Sequence, residues 1–155
     1  NHGNEGNMQA SFLFNYSGKP WLTQKYSRTI LEKYYGNTPY HGWEGDEDEG
    51  QMGGCFVIAS MGLFEMNGAV TNDPVFDLTS PLFDEITIHL DKMYSGGKPF
   101  VIKTINNSEV NVYIQSASLN GKPLTEPKLR FKEMVKGGEL VFKMGPKPNM
   151  DWLKK

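Results

Sequence analysis

Four carboxylates in succession, Asp46-Glu47-Asp48-Glu49, lie between Gly45 and Gly50 and run through Gln51-Met52 into the apolar segment 55–64. Crowded carboxylates repel one another, so a stable fold tolerates them best where water, a cation or a polar substrate screens their charge. In an extended backbone, residues two apart share a side, which predicts Asp46 and Asp48 together with Glu47 facing away. Gly50 and Gln51 open a predicted helix whose positive N-terminal end favours an ionised Asp48. An ionised carboxylate beside a second one is a candidate base for activating water, the two titrating as a coupled unit. Acidic residues ahead of a helix are equally ordinary capping chemistry, and the local sequence leaves both readings open. An EF-hand is excluded, because Gly50 stands where the third oxygen ligand of such a loop would fall.

The elements that must position this loop follow from periodicity. Apolar residues at helical intervals predict a helix from Pro20 to about Tyr35, with Pro20 in its first turn and Gly36 as its stop. A second helix is predicted from Gln51 to about Leu63; it is apolar nearly all round, which predicts burial between other elements. From about Glu85 the pattern turns to period two. Strands are predicted at 86–90, 100–105, 110–114 and 140–144, separated by glycine- and asparagine-rich turns. The fold class expected is α+β: two helices followed by an antiparallel, sandwich-like β region. Two prolines and several turn formers put the boundary within Thr71–Pro81, giving a helical segment 1–70 and a β region 71–155.

Composition narrows the function. The chain has 155 residues, 38% of them hydrophobic, which is enough for one packed domain or two small halves sharing an interface. A formal net charge of -2 and scattered lysines provide no basic patch for a phosphate backbone, so nucleic acid is not an expected partner. No apolar run reaches the roughly 18 to 20 residues needed to cross a bilayer. Cys55 is the single cysteine and sits in an apolar run, where a buried, inert thiol is expected. His2, His41 and His89 lack metal-ligand spacing. The polar opening Asn1-His2-Gly3-Asn4-Glu5 is neither an initiator methionine nor a signal peptide, and we expect a C-terminal piece of a longer chain.

Six motifs carry a resemblance. Gly3-Asn4-Glu5 with Phe12–Gln24, Gly45–Met52, Ser80–Phe83, Asn106-Asn107-Ser108, Tyr113–Gly121 and Gly137–Gly145 resemble, in this order, the signature of glycoside hydrolase family 92, the calcium-dependent exo-acting α-mannosidases. Any one of these is weak; six in order, over nearly the whole chain, are specific. The resemblance implies an inverting hydrolase that removes terminal α-linked mannose, built from an (α/α)6 toroid packed against β-sandwich material, with this chain at its C-terminal end. Inversion uses a base that activates water opposite the departing sugar and an acid roughly 6.5–9.5 Å away.

In that scheme Asp48 matches the family's base and Asp46 its partner, orienting the water or tuning the proton affinity of Asp48. The family's acid is expected upstream of the segment that Asn4 and Glu5 match, so an isolated piece is expected to be inactive. Asn4 and Glu5 lie in a motif near the family's calcium, and an oxygen-rich pair suits a hard cation. Trp43, just ahead of the acidic run, offers a face for a sugar ring, and Glu47 is the other expected substrate contact. Tyr16 and Trp21 are assigned to core packing rather than stacking. The resemblance also implies α-mannoside substrates, the remainder of a parent chain as partner, and export to a periplasm or cell surface. Two departures stand out: Gly6 and Gln9 replace a proline and a histidine common after Gly-Asn-Glu, and Gly53-Gly54-Cys55 replaces small-small-aromatic. The competing reading is a noncatalytic carbohydrate-binding or structural β-sandwich module whose acidic turn is a helix cap.

Overall fold

The computed structural model describes residues 2–152. Two short 3-10 helices, Glu5–Ser11 and Leu13–Asn15, lead into helix α1 (Pro20–Lys33), with Pro20 in its first turn as its fixed φ favours. A small antiparallel hairpin follows, β1 (Tyr35–Thr38) and β2 (His41–Trp43), and then helix α2 (Gln51–Ser60). Helix α2 ends three residues earlier than its apolar run suggests, because Gly62 takes a left-handed φ of 81° and turns the chain into β3 (Leu63–Glu65).

The remaining elements are β4 (Val75–Leu78), β5 (Glu85–Ile88), α3 (Lys92–Ser95), β6 (Phe100–Ile105), β7 (Tyr113–Leu119), β8 (Lys122–Pro123), β9 (Lys128–Arg130), α4 (Phe131–Met134) and β10 (Gly138–Gly145). They form a five-stranded sheet in the order β5-β6-β10-β7-β8 and a three-stranded sheet in the order β3-β4-β9. The class is α+β, as expected, but the β region is not wholly antiparallel. Strand β10 pairs parallel with β6, Leu140 opposite Ile102, and antiparallel with β7. The long excursion through β7, β8 and β9 supplies the crossover that parallel pairing requires.

Local chemistry explains the other differences. The run Val110–Val112 alternates like a strand, yet the Ser108 hydroxyl accepts the Asn111 N–H (3.1 Å) and bends it, so β7 starts at Tyr113. The proline-containing stretch 71–81 holds β4, whose partners β3 and β9 fall on opposite sides of position 70. One core joins both larger sheets, with Leu63, Leu78 and Leu129 beside Phe100, Ile102, Ile114, Leu140 and Phe142. A second core gathers Met8, Phe12, Leu31, Tyr35, Met52, Cys55, Ala59 and Phe64. In α2, Val57 is 57% exposed and Gly54 is exposed, so among the described residues one side of that apolar helix is open rather than buried all round.

Helix α1 buries a polar stripe, Thr23, Gln24, Ser27 and Arg28, instead of its apolar residues alone. That stripe satisfies backbone groups that no strand partner reaches. Gln24 Oε1 accepts the Ile114 N–H at 2.9 Å. Arg28 is 4% exposed; it donates to the Pro81 carbonyl, to Ser80 Oγ (3.3 Å) and to Asn107 Oδ1 (2.7 Å), and it pairs with Glu32. Asn107 in turn donates to the Leu82 carbonyl at 3.0 Å. The motifs Ser80–Phe83 and Asn106-Asn107-Ser108 therefore meet on one guanidinium. Arg28→Ala is expected to cost the protein about 3 kcal/mol in denaturant unfolding, with Arg28→Lys recovering less than half, because an ammonium lacks the planar fork.

Candidate active-site loop

The acidic run leaves the β1–β2 hairpin and ends at α2, and its conformation differs from the extended one that would pair Asp46 with Asp48. Asp48, Glu49 and Gly50 all have positive φ, of 48°, 62° and 92°. Two non-glycine residues in succession in the left-handed region are strained, which marks a loop whose shape the surroundings impose. Asp48 and Glu49 are exposed, as is Asp46. Alternation therefore does not bring the Asp46 and Asp48 side chains to one side.

Glu47 turns the other way. Its Oε1 accepts the Gly53 N–H at 3.2 Å, and its carbonyl accepts from Gln51 (3.1 Å) and Met52 (3.3 Å). The capping chemistry that the sequence allowed for the whole run thus falls on Glu47, while Asp46, Asp48 and Glu49 are left to solvent. Helix α2 does begin at Gln51 after Gly50, as expected.

The N-terminal segment lies across this loop. Met8 and Phe12 are buried in the second core, where Phe12 stacks on Phe64 at 3.7 Å between ring centroids. The His2 ring bonds the Tyr35 hydroxyl at 2.9 Å through Nε2. Gly3 and Gly45 meet backbone to backbone: Gly45 has φ 82°, and a methyl group there would overlap the Gly3 carbonyl oxygen. This contact seats the next residues beside the acidic loop. Glu5, Asp48, Glu49, Gly50 and Gln51 line one open cleft of about 560 Å³. Residues 43 positions apart in sequence are thereby brought together, and the cleft is bounded mainly by carboxylates and an amide.

The other expected site residues take separate places. Asn4 caps the first 3-10 helix, its Oδ1 accepting the Gly6 N–H at 3.2 Å, a bond that proline at position 6 could not donate. Asn4, Asp46, Glu47 and Trp43 are not among the residues lining that cleft. Trp43 closes β2 and is 43% exposed. Glu49 and Gln51 also line the cleft, and nothing in their sequence context beyond their place in the acidic motif singles them out. Among the described residues no three carboxylate, histidine or cysteine side chains converge to hold a metal ion. A calcium ion takes about six to eight oxygens, so these residues do not by themselves fit one.

Tyr16 is not a core residue. It is 55% exposed, lies under Lys128 Nζ (5.0 Å to the ring centroid) and donates its hydroxyl to Asp77 Oδ2 at 2.9 Å. Asp77 is buried and also accepts from Asn15 Nδ2 at 3.3 Å. Burial and Asp77 push the Tyr16 phenol up to about 12, and burial pushes the Asp77 carboxyl above its ordinary value despite those donors. A carboxyl raised on folding contributes stability that is fully present below its unfolded pKa and lost as pH rises through its folded one. In urea unfolding between pH 4 and pH 7, wild type is therefore expected to lose stability relative to Asp77→Asn as pH rises.

Comparison with known proteins decides the family. The model of the glycosyl hydrolase family 92 catalytic domain matches residues 1–146. The chain belongs to glycosyl hydrolase family 92. Among solved family 92 structures, an α-mannosidase from Bacteroides thetaiotaomicron is 30% identical with a TM-score of 0.88, over 99% of this chain and 20% of that one. An inverting family 92 mannosidase from the same organism is 35% identical with a TM-score of 0.85, again over 99% and 20%. A curated relative from Arthroderma benhamiae, described as an uncharacterized secreted glycosidase, is 34% identical over 152 residues, 97% of this chain and 19% of its own length. The family 92 chain described here thus spans about a fifth of the length of these relatives. Among its described residues no helix is long and apolar enough to cross a membrane.

Proposed function

We propose that this chain is the C-terminal part of an inverting, calcium-dependent exo-α-mannosidase that removes terminal α-linked mannose from glycans. Asp48 is its general base: its carboxylate takes the proton of a water that attacks the anomeric carbon, while an acid on another part of the parent chain protonates the departing oxygen. Asp46, on the same exposed loop, orients that water. The observation that carries this reading is the cleft itself, where a strained, exposed Asp48 and the Glu5 of a distant motif come together in a chain related to an inverting mannosidase. Glu5 contributes an oxygen to the metal or to the sugar, with Asn4 beside it, and the rest of the cation's ligands come from the parent chain. Trp43 offers its half-exposed face to a sugar ring.

In this reading residues 1–70 complete an (α/α)6 toroid, residues 71–155 belong to its β-sandwich material, and the open side of α2 packs against the parent chain. The parent is exported to a periplasm or cell surface, as the name of the secreted relative suggests. The isolated segment is inactive, because its acid lies elsewhere. A noncatalytic module would explain Glu47, which caps a helix, but leaves the left-handed, outward-facing Asp48 without a purpose.

The test is mannose release from α-mannobiosides by the full-length protein, with the first-formed anomer read by proton NMR. The β anomer, appearing first and abolished by a chelator until calcium is returned, is expected. No release, or α-mannose first, contradicts the reading.

A further inference from the structure

We propose that Glu47 is the positioning residue of the acidic loop, fastening the first turn of α2 so that Asp48 is held in the left-handed conformation that presents it to the cleft. The inference rests on the reading of Asp48 as the base and gives its neighbour a role distinct from substrate contact.

Three consecutive N–H groups at the start of α2 are bound by this one residue, the Gln51 N–H being shared with the Asp48 carbonyl (3.2 Å). Gln51 and Met52 donate to the Glu47 carbonyl (3.1 and 3.3 Å), and Gly53 donates to Glu47 Oε1 (3.2 Å). These are the groups that a helix start leaves unpaired. The absence of a side chain at position 53 leaves room for the carboxylate, since a methyl group there would stand 3.1 Å from Oε1. Glu47 Oε2 is buried and has no hydrogen-bond partner, and Glu47 is absent from the lining of the cleft. Its Oε1 is therefore turned to the start of the helix and away from the cleft.

Only Asp48, Glu49 and Gly50 bridge this anchor to the helix, and all three are left-handed. Aspartate and glutamate do not hold that conformation unaided, so the bonds on either side must offset its strain. Without the Oε1 bond the start of α2 frays, Asp48 relaxes to negative φ, and its carboxylate leaves the place where a water would meet it. What the clamp needs from residue 47 is an acceptor oxygen, which a glutamine also carries.

Glu47→Ala and Glu47→Gln in the full-length protein test this, with kcat and KM measured on an α-mannobioside and amide exchange followed at Gly53. Glu47→Ala is expected to lower kcat about 100-fold with KM little changed, because a small misplacement of a catalytic group has that effect. Glu47→Gln should keep most of the activity. The Gly53 amide should exchange at least about tenfold faster in Glu47→Ala and near the wild-type rate in Glu47→Gln, because exchange follows local opening. Wild-type kcat in Glu47→Ala, a rise in KM alone, a Glu47→Gln as inactive as Glu47→Ala, or an unchanged Gly53 exchange rate would each overturn the proposal. Exchange responding as stated while Asp48→Asn stays active would leave the clamp standing and remove the base assignment, so the two failures are distinguishable.

Discussion

Gly45→Ala is expected to lower kcat/KM for α-mannoside hydrolysis by at least about 100-fold and to destabilise the protein by about 2 kcal/mol, although residue 45 has no side chain to touch a substrate. Two effects combine. Gly45 has φ 82°, a conformation that alanine adopts only with strain, and its α-carbon faces the Gly3 backbone so closely that a methyl group would overlap the Gly3 carbonyl oxygen. Gly3 is equally confined, since a methyl group there would stand 2.7 Å from the Glu44 carbonyl oxygen. The chain must therefore open at the contact that seats Glu5 beside Asp48. Gly42→Ala is the matching control: it lies three residues away, an added methyl group would meet nothing within 4 Å, and its activity and melting temperature should match wild type. Equal loss in both variants would show that the hairpin tolerates no change, and would leave the Gly3–Gly45 contact without special importance.

Much of the architecture was legible because its signals are local. Pro20 announces α1, the Gly50-Gln51 step announces α2, and the alternation of Phe100–Ile105 gives β6 its full extent. What could not be read depends on partners far away in sequence. The parallel pairing of β10 with β6 leaves no trace in the alternation of either strand, because side-chain period is the same in both pairing senses. The buried polar stripe of α1 reads locally as a solvent face, and only the loops at Ser80–Leu82 and Asn107 and the strand residue Ile114 reveal why it is inside. Tyr16, assigned to the core by its size, is held at the surface by the carboxylate of Asp77, sixty-one positions away.

The candidate loop divides in the same way. Its acidity and its place before a helix were evident, and alternation set Glu47 apart from Asp46 and Asp48 as a substrate contact. That Glu47 instead caps Gly53 was not legible, since the bond depends on how the loop folds back onto the helix start. Positive φ at two successive positions has little sequence signal, for aspartate is only enriched in that region and glutamate is not. The Gly3–Gly45 contact is likewise invisible locally: each glycine reads as a turn former, and their mutual approach appears only once the N-terminal segment is anchored by Met8 and Phe12.

Asp48→Asn isolates the chemistry from the fold. Asparagine tolerates the left-handed region at least as well as aspartate and keeps the size of the side chain, while exchanging a charged acceptor for an amide that cannot take a proton. Folding should therefore be unaffected while the base is removed, an effect of about 1,000-fold or more on kcat within the range for a positioned general base. Asp46→Asn, which disturbs orientation rather than proton transfer, should have a smaller effect. The decisive measurement is kcat for mannose release by full-length Asp48→Asn beside wild type, with melting temperatures recorded for both. A loss of about three orders of magnitude at an unchanged melting temperature is the predicted result; full activity in the variant would contradict the account and reduce the acidic run to the start of a helix.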